Sequence, residues 1–152
     1  VLLIAAATGD LPMTQQLLAD GASANAVDAN NDAALMLAVR SAQEPVIDAL
    51  LSAGAKTSVA DARGRSPLWQ AAAAGQRDGV AALLRARAAV DGADADGATP
   101  LMAAAAGGHV GVVEALLSAG ALAKHRSRRG DTPLHAAAGA GRVQKPAPAA
   151  GR

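Results

Sequence analysis

Four leucines, Leu35, Leu68, Leu101 and Leu134, stand 33 residues apart, and Leu2 holds the same phase. The pairs Leu17-Leu18, Leu50-Leu51, Leu83-Leu84 and Leu116-Leu117 keep that spacing without insertion or deletion. A period of this size marks a solenoid, in which one supersecondary unit stacks on copies of itself because no unit can bury its apolar face alone. Composition says what the unit is made of. Hydrophobic residues are 51% of the chain, mostly alanine, while aromatics are 1%. Alanine favours helix and lets backbones approach closely, so short helices in tight contact are expected rather than a sandwich or barrel of large interlocking side chains.

The unit can be read residue by residue. Arg65-Ser66-Pro67-Leu68, Ala98-Thr99-Pro100-Leu101 and Asp131-Thr132-Pro133-Leu134 each place a hydroxyl at a helix N-cap and proline at the first helical position. The hydroxyl accepts from a free N–H of the first turn, where proline's missing donor costs nothing. Each first helix runs through an alanine face (Ala71-Ala72, Ala104-Ala105, Ala137-Ala138) and stops at Gly75, Gly108 or Gly141, where a left-handed residue is wanted. A second helix carries Val80, Leu83 and Leu84, or Val113, Leu116 and Leu117, at the i, i+3, i+4 spacing of one buried face. Pro12 and Pro45 sit in the first turn of this helix, and Gly21, Gly54 and Gly120 mark its end. Polar segments such as Asp61-Ala62-Arg63-Gly64 join the units as tight turns.

The run from Asp94-Ala95-Asp96-Gly97-Ala98-Thr99-Pro100-Leu101 through Gly108-His109 to Glu114-Ala115-Leu116-Leu117-Ser118-Ala119-Gly120-Ala121 resembles the ankyrin repeat almost position by position. The resemblance implies an all-α repeat solenoid of stacked helix-turn-helix units joined by β-turn or hairpin-like loops. Residues 1–142 are expected to form the array: a partial repeat at 1–27, repeats at 28–60, 61–93 and 94–126, and a partial repeat at 127–142. At 143–152, Lys145-Pro146-Ala147-Pro148 replaces the start of a second helix, so a Pro/Ala-rich tail or linker is expected there. Repeat two departs from the pattern with Ala33-Ala34 for Thr-Pro, Asn31 for the turn glycine and Ala42 for the helix-ending glycine, and is expected to be the least well capped. Arg87 replaces another glycine and must either take a left-handed conformation or shift the helix boundary.

Several function classes lose support here. A net charge of +1 offers no global field for nucleic acid or membrane, and the absence of cysteine removes disulfides and thiolate zinc sites. Cysteine usage leaves the compartment open; a cytoplasmic setting is favoured over a periplasmic or secreted one. Val1 to Ala7 imitates a signal-peptide core but has no basic flank, and no apolar run reaches the ~18 residues of a membrane helix. The chain begins without Met and reads as a piece of a longer protein. Arginine outnumbers lysine 11 to 3, which fits a GC-rich bacterial source. His109, His125 and His135 have no metal-site spacing, and the resemblance makes His135 a structural residue. The glycines follow the repeat and form no phosphate-binding loop, while Asp28, Asp61 and Asp94 read as turn residues. No catalytic residue, cofactor or metal is expected.

What the resemblance implies instead is a protein-protein interaction module, an adaptor or scaffold, that holds its partner on a concave face and the connecting turns. The positions free for recognition by register are Val27, Asn30 and Asp32 in the first turn, Arg63 and Arg65 in the second, Asp96 in the third, and Arg126, Arg128, Arg129 and Asp131 in the fourth. On the first helices Met36, Leu37, Arg40, Ser41, Trp69 and Gln70 join them. Arg63, Arg65, Trp69, Gln70, Asp96, Arg126, Arg128 and Arg129 form the core of this candidate site. Trp69 reads first as helix packing and second as a partner anchor. The fourth turn, Lys124-His125-Arg126-Ser127-Arg128-Arg129, is the one concentrated charge and points to a partner with an acidic patch. The chain is expected to be a monomer; nucleic acid ranks last as a partner, for want of interleaved aromatics. The alternative reading is the recruiting domain of a larger enzyme or secreted effector whose catalytic part lies outside these residues.

Overall fold

The computed structural model describes residues 2–30 and 32–135. The expected tail at 143–152, the cap at Gly141 and the replaced turn glycine at Asn31 lie outside these described residues.

Each of the first four units delivers two helices. The first helices are α1 (Leu2–Thr8), α3 (Ala34–Arg40), α5 (Pro67–Ala74) and α7 (Pro100–Gly107); the second are α2 (Leu11–Ala19), α4 (Glu44–Ser52), α6 (Arg77–Arg85) and α8 (Val110–Ser118). First helices stack on first helices, second on second, and each pair packs internally, so among the described residues the main contacts run between neighbouring units as a solenoid requires. Pro133 to His135 begin another helical turn at the edge of the described residues.

The starts and stops obey local chemistry. Ser66 accepts from the Trp69 N–H at 3.1 Å and Thr99 from the Met102 N–H at 3.3 Å. Ala33, at the same place before α3, has no side chain with which to cap. Gly75 and Gly108 close α5 and α7 in the left-handed region, both at φ 73°.

The core consists of columns of register-equivalent residues. Leu2, Leu35, Leu68 and Leu101 are 5%, 1%, 0% and 2% exposed, and Leu50, Leu83 and Leu116 of the second helices are fully buried. Ala38, Ala71 and Ala104 stand between the first helices without exposure; their small size sets the close stacking. The expected buried face of α8 needs correction. Val112 and Leu116 are buried, but Val113 is half-buried and Leu117 is 44% exposed. Among the described residues α8 is flanked on one side only, by α6, and its other side has nothing to pack against.

Two departures from glycine leave a conformational mark. Ala42 (φ 55°) and Arg87 (φ 65°) are the non-glycine residues with positive φ among the described residues, so Arg87 takes the left-handed conformation and α6 keeps its boundary. A Cβ in this region meets the following carbonyl and costs about 1 kcal/mol. Ala42→Gly and Arg87→Gly are therefore each expected to raise stability by about 1 kcal/mol in urea denaturation followed by circular dichroism. An unchanged or lowered midpoint in both would mean that these turns store no strain.

Candidate functional site

The first three turns are built on one carboxylate each. Asp61 Oδ1 accepts from the N–H groups of Arg63 and Arg65 at 2.9 and 3.0 Å, and Asp94 Oδ1 from those of Asp96 and Ala98, both at 2.9 Å. Asp28 does the same for Asn30 and Asp32 at 2.8 and 2.9 Å. In the fourth turn Ser127 Oγ replaces the carboxylate, and its bonds from the Arg129 and Asp131 N–H groups lengthen to 3.2 and 3.3 Å, as a neutral acceptor would give.

The second, third and fourth turns are tied through the backbone: the Ala95 N–H donates to the Arg63 carbonyl and the Arg128 N–H to the Asp96 carbonyl, both at 2.9 Å. This approach requires glycine at the tips. A Cβ on Gly64 would stand 3.0 Å from the Ala95 nitrogen and one on Gly97 3.1 Å from the Arg128 nitrogen, and both residues have positive φ. His109 also joins neighbouring units, through Nε2 to the Ala73 carbonyl at 3.0 Å, and His125 Nε2 ties the start of the fourth turn to the Gly97 carbonyl of the third at 3.2 Å. His135 Nδ1 accepts from the Thr132 N–H at 3.2 Å, within its own unit.

Several candidate residues are already engaged with one another. Arg40 donates to both oxygens of Asp32 at 2.8 and 3.1 Å, and its Nε donates to Gln70 Oε1 at 3.3 Å. Asp61 Oδ2 accepts from Arg65 Nε at 2.9 Å and Gln70 Nε2 at 3.0 Å, with Arg65 Nη2 at 2.9 Å and Arg40 Nη2 at 3.8 Å. Burial would raise the Asp61 pKa, but the bonds from the Arg65 N–H, the Arg65 guanidinium and the Arg63 N–H outweigh it and hold the carboxyl below its ordinary value. Burial corrects two of the positions expected to be free, Asp32 and Met36. Asp32 is buried and paired, Arg65 and Gln70 are held by Asp61, and Met36, 1% exposed, is a core residue with no face to offer a partner. Sequence spacing marked Asp61 as a turn residue; that three side chains from two units converge on it was not legible, because helix stacking brings Arg40 there.

Arg63, Arg65, Trp69 and Asp96 come together. With Ala62, Asp94 and Ala95 they line a cleft of about 360 Å³ between the second and third turns. Trp69 is half-buried; its Nε1–H donates to the Ala98 carbonyl at 3.0 Å and the Arg65 guanidinium lies 5.5 Å over its ring, so the indole is a fixed wall tied into the next unit. A larger depression, about 550 Å³, lies between α2 and α4, but Asp48 is the sole charged residue lining it and no convergent polar groups mark it as a site.

Arg126, Arg128 and Arg129 belong to the fourth turn, apart from that cleft, and all are exposed with Lys124. Arg126 Nη1 donates to the Gly130 carbonyl at 3.2 Å; among the described residues none of these cations forms an ion pair. Val27, Asn30, Asp96 and Asp131 are exposed as well, and Leu37 and Ser41 half-buried.

Among the described residues no group of three or more His, Cys, Asp or Glu side chains could hold a metal ion, and no helix is long and apolar enough to cross a membrane. A family model described as "Ankyrin repeats (3 copies)" matches residues 2–94 and 86–145. No curated protein matches the chain.

Proposed function

This chain belongs to the ankyrin-repeat family, whose repeats generally bind other proteins, and we propose that it is a non-catalytic adaptor that holds an acidic surface of a partner on its fourth turn. The array taken to span 1–142 supplies the scaffold, and the concave face and connecting turns supply the contacts. One observation carries this reading. Arg40 and Arg65 are consumed by Asp32 and Asp61, whereas Lys124, Arg126, Arg128 and Arg129 are exposed and without an ion pair among the described residues. Ser127 in place of aspartate removes the carboxylate that would sit inside the turn. Guanidinium groups on a fixed turn suit bidentate bonds to carboxylates and lose little conformational freedom on binding.

The test is a quantitative pull-down from lysate of the source organism, with the chain beside its Arg126→Glu/Arg128→Glu/Arg129→Glu variant and captured proteins identified by mass spectrometry. Loss of a captured protein by at least about tenfold in the variant is expected, since reversal replaces attraction by like-charge repulsion. Equal capture by both would overturn the assignment to the fourth turn.

A further inference from the structure

In chain order the turns alternate in sign. The first (28–32) carries Asp28 and Asp32 and no cation; the second (61–65) sets Arg63 and Arg65 against Asp61. The third (94–98) carries Asp94 and Asp96 and no cation; the fourth (127–131) sets Arg128 and Arg129 against Asp131, with Lys124 and Arg126 just before it. Internal pairing blunts the first turn and leaves the signs of the other three standing. Asp32 is neutralised by Arg40 and Arg65 by Asp61, which leaves Arg63 as the free charge of the second turn. Asp96 is exposed, and among the described residues neither it nor Asp94 forms an ion pair.

We infer that these turns read an extended segment of the partner whose charges run acidic, basic, acidic, with its basic centre against Asp94 and Asp96 and its acidic ends against Arg63 and the fourth-turn arginines. The inference rests on the adaptor reading above and adds the pattern that a partner must carry. The sign changes at the cleft between the second and third turns, which Arg63 and Asp96 both line beside the fixed Trp69 ring.

Dimensions and screening decide whether such a pattern can be read. Turns joined backbone to backbone advance with the helix layers beneath them, about 8–10 Å per step, which an extended segment covers in about three residues. The screening length at physiological salt is about 8 Å, so each turn acts on the charge facing it rather than on the partner's net charge. At about 0.01 M salt the screening length reaches about 30 Å and neighbouring turns blur together.

Three synthetic peptides measured by fluorescence anisotropy against the full chain separate the possibilities. One alternates acidic, basic and acidic blocks at three-residue spacing, a second has the same composition with its charges segregated, and a third is uniformly acidic. At about 0.15 M salt the alternating peptide is expected to bind about tenfold tighter than the segregated one, and the difference to shrink at low salt. Asp96→Lys, a change at an exposed side chain with no ion pair among the described residues, is expected to move the preference to the uniformly acidic peptide. Equal affinity for alternating and segregated peptides, or no binding of either, overturns the inference. Tightest binding of the uniformly acidic peptide, lost in the fourth-turn arginine variant, overturns the pattern and leaves the adaptor reading standing.

Discussion

Leu68→Ala is expected to destabilise the array by about 3 kcal/mol, the largest effect of any single substitution considered for this chain. Leu68 is fully buried in α5, with Leu35 and Leu101 in line on either side in the first-helix column. Truncation loses the transfer free energy of the side chain and opens a cavity that cannot collapse, because alanine-rich helices already stand at their closest approach. The loss should also spread along the stack, since a repeat that unfolds removes an interface from both neighbours. The contrast is Leu134→Ala. Leu134 has the same register but is 70% exposed, so less than about 0.5 kcal/mol is expected there. Urea denaturation of the two variants in parallel gives the comparison; similar losses at both positions would mean that the column does not hold the array together.

Asp61→Asn should cost about 2 kcal/mol at neutral pH, although it changes one atom of a turn. The amide oxygen can still accept from the Arg63 and Arg65 N–H groups. Its NH₂ would face Arg65 Nε and Gln70 Nε2, and three groups that now converge on one oxygen would have no acceptor. The partner arginines are 30% and 37% exposed, which keeps the penalty below that of a fully buried pair. The pH dependence carries a definite sign. The folded-state pKa of Asp61 lies below the ordinary carboxyl value, so the native chain binds fewer protons than the unfolded one. The stability it contributes is complete above about pH 4 and fades as pH falls through the lowered value. Wild type and variant should therefore converge in acid, and a difference that stays constant down to pH 2 would show that the charge is not responsible. Trp69, the single tryptophan, reports on the same change, because release of Arg65 from Asp61 alters the cation over its ring.

Legibility in the sequence followed the range of the interaction. The caps at Ser66 and Thr99 and the left-handed glycines at Gly75 and Gly108 could be read beforehand, because each depends on residues within one helical turn, whereas for Arg87 the sequence left two conformations open and the structure chose the left-handed one. The candidate site fared differently. Arg63, Arg65, Trp69 and Asp96 do border one cleft, yet Asp32 is paired with Arg40, Arg65 and Gln70 bond to Asp61, and Met36 is buried. Arg40 and Asp61 are 21 positions apart, and nothing in the chain announces that helix stacking sets the Arg40 guanidinium beside the Asp61 carboxylate.

By itself the sequence determined that units of 33 residues would stack, where the capped helices begin and end, and the register of the leucine columns, though not that Leu117 and Leu134 would be exposed. Those features arise from local backbone preferences and from a periodicity that any solenoid must satisfy. Tertiary structure alone decided which charges are left free. A side chain's availability depends on what the neighbouring unit brings within hydrogen-bond reach, and that is fixed by the geometry of stacking rather than by the residue's own surroundings in the chain.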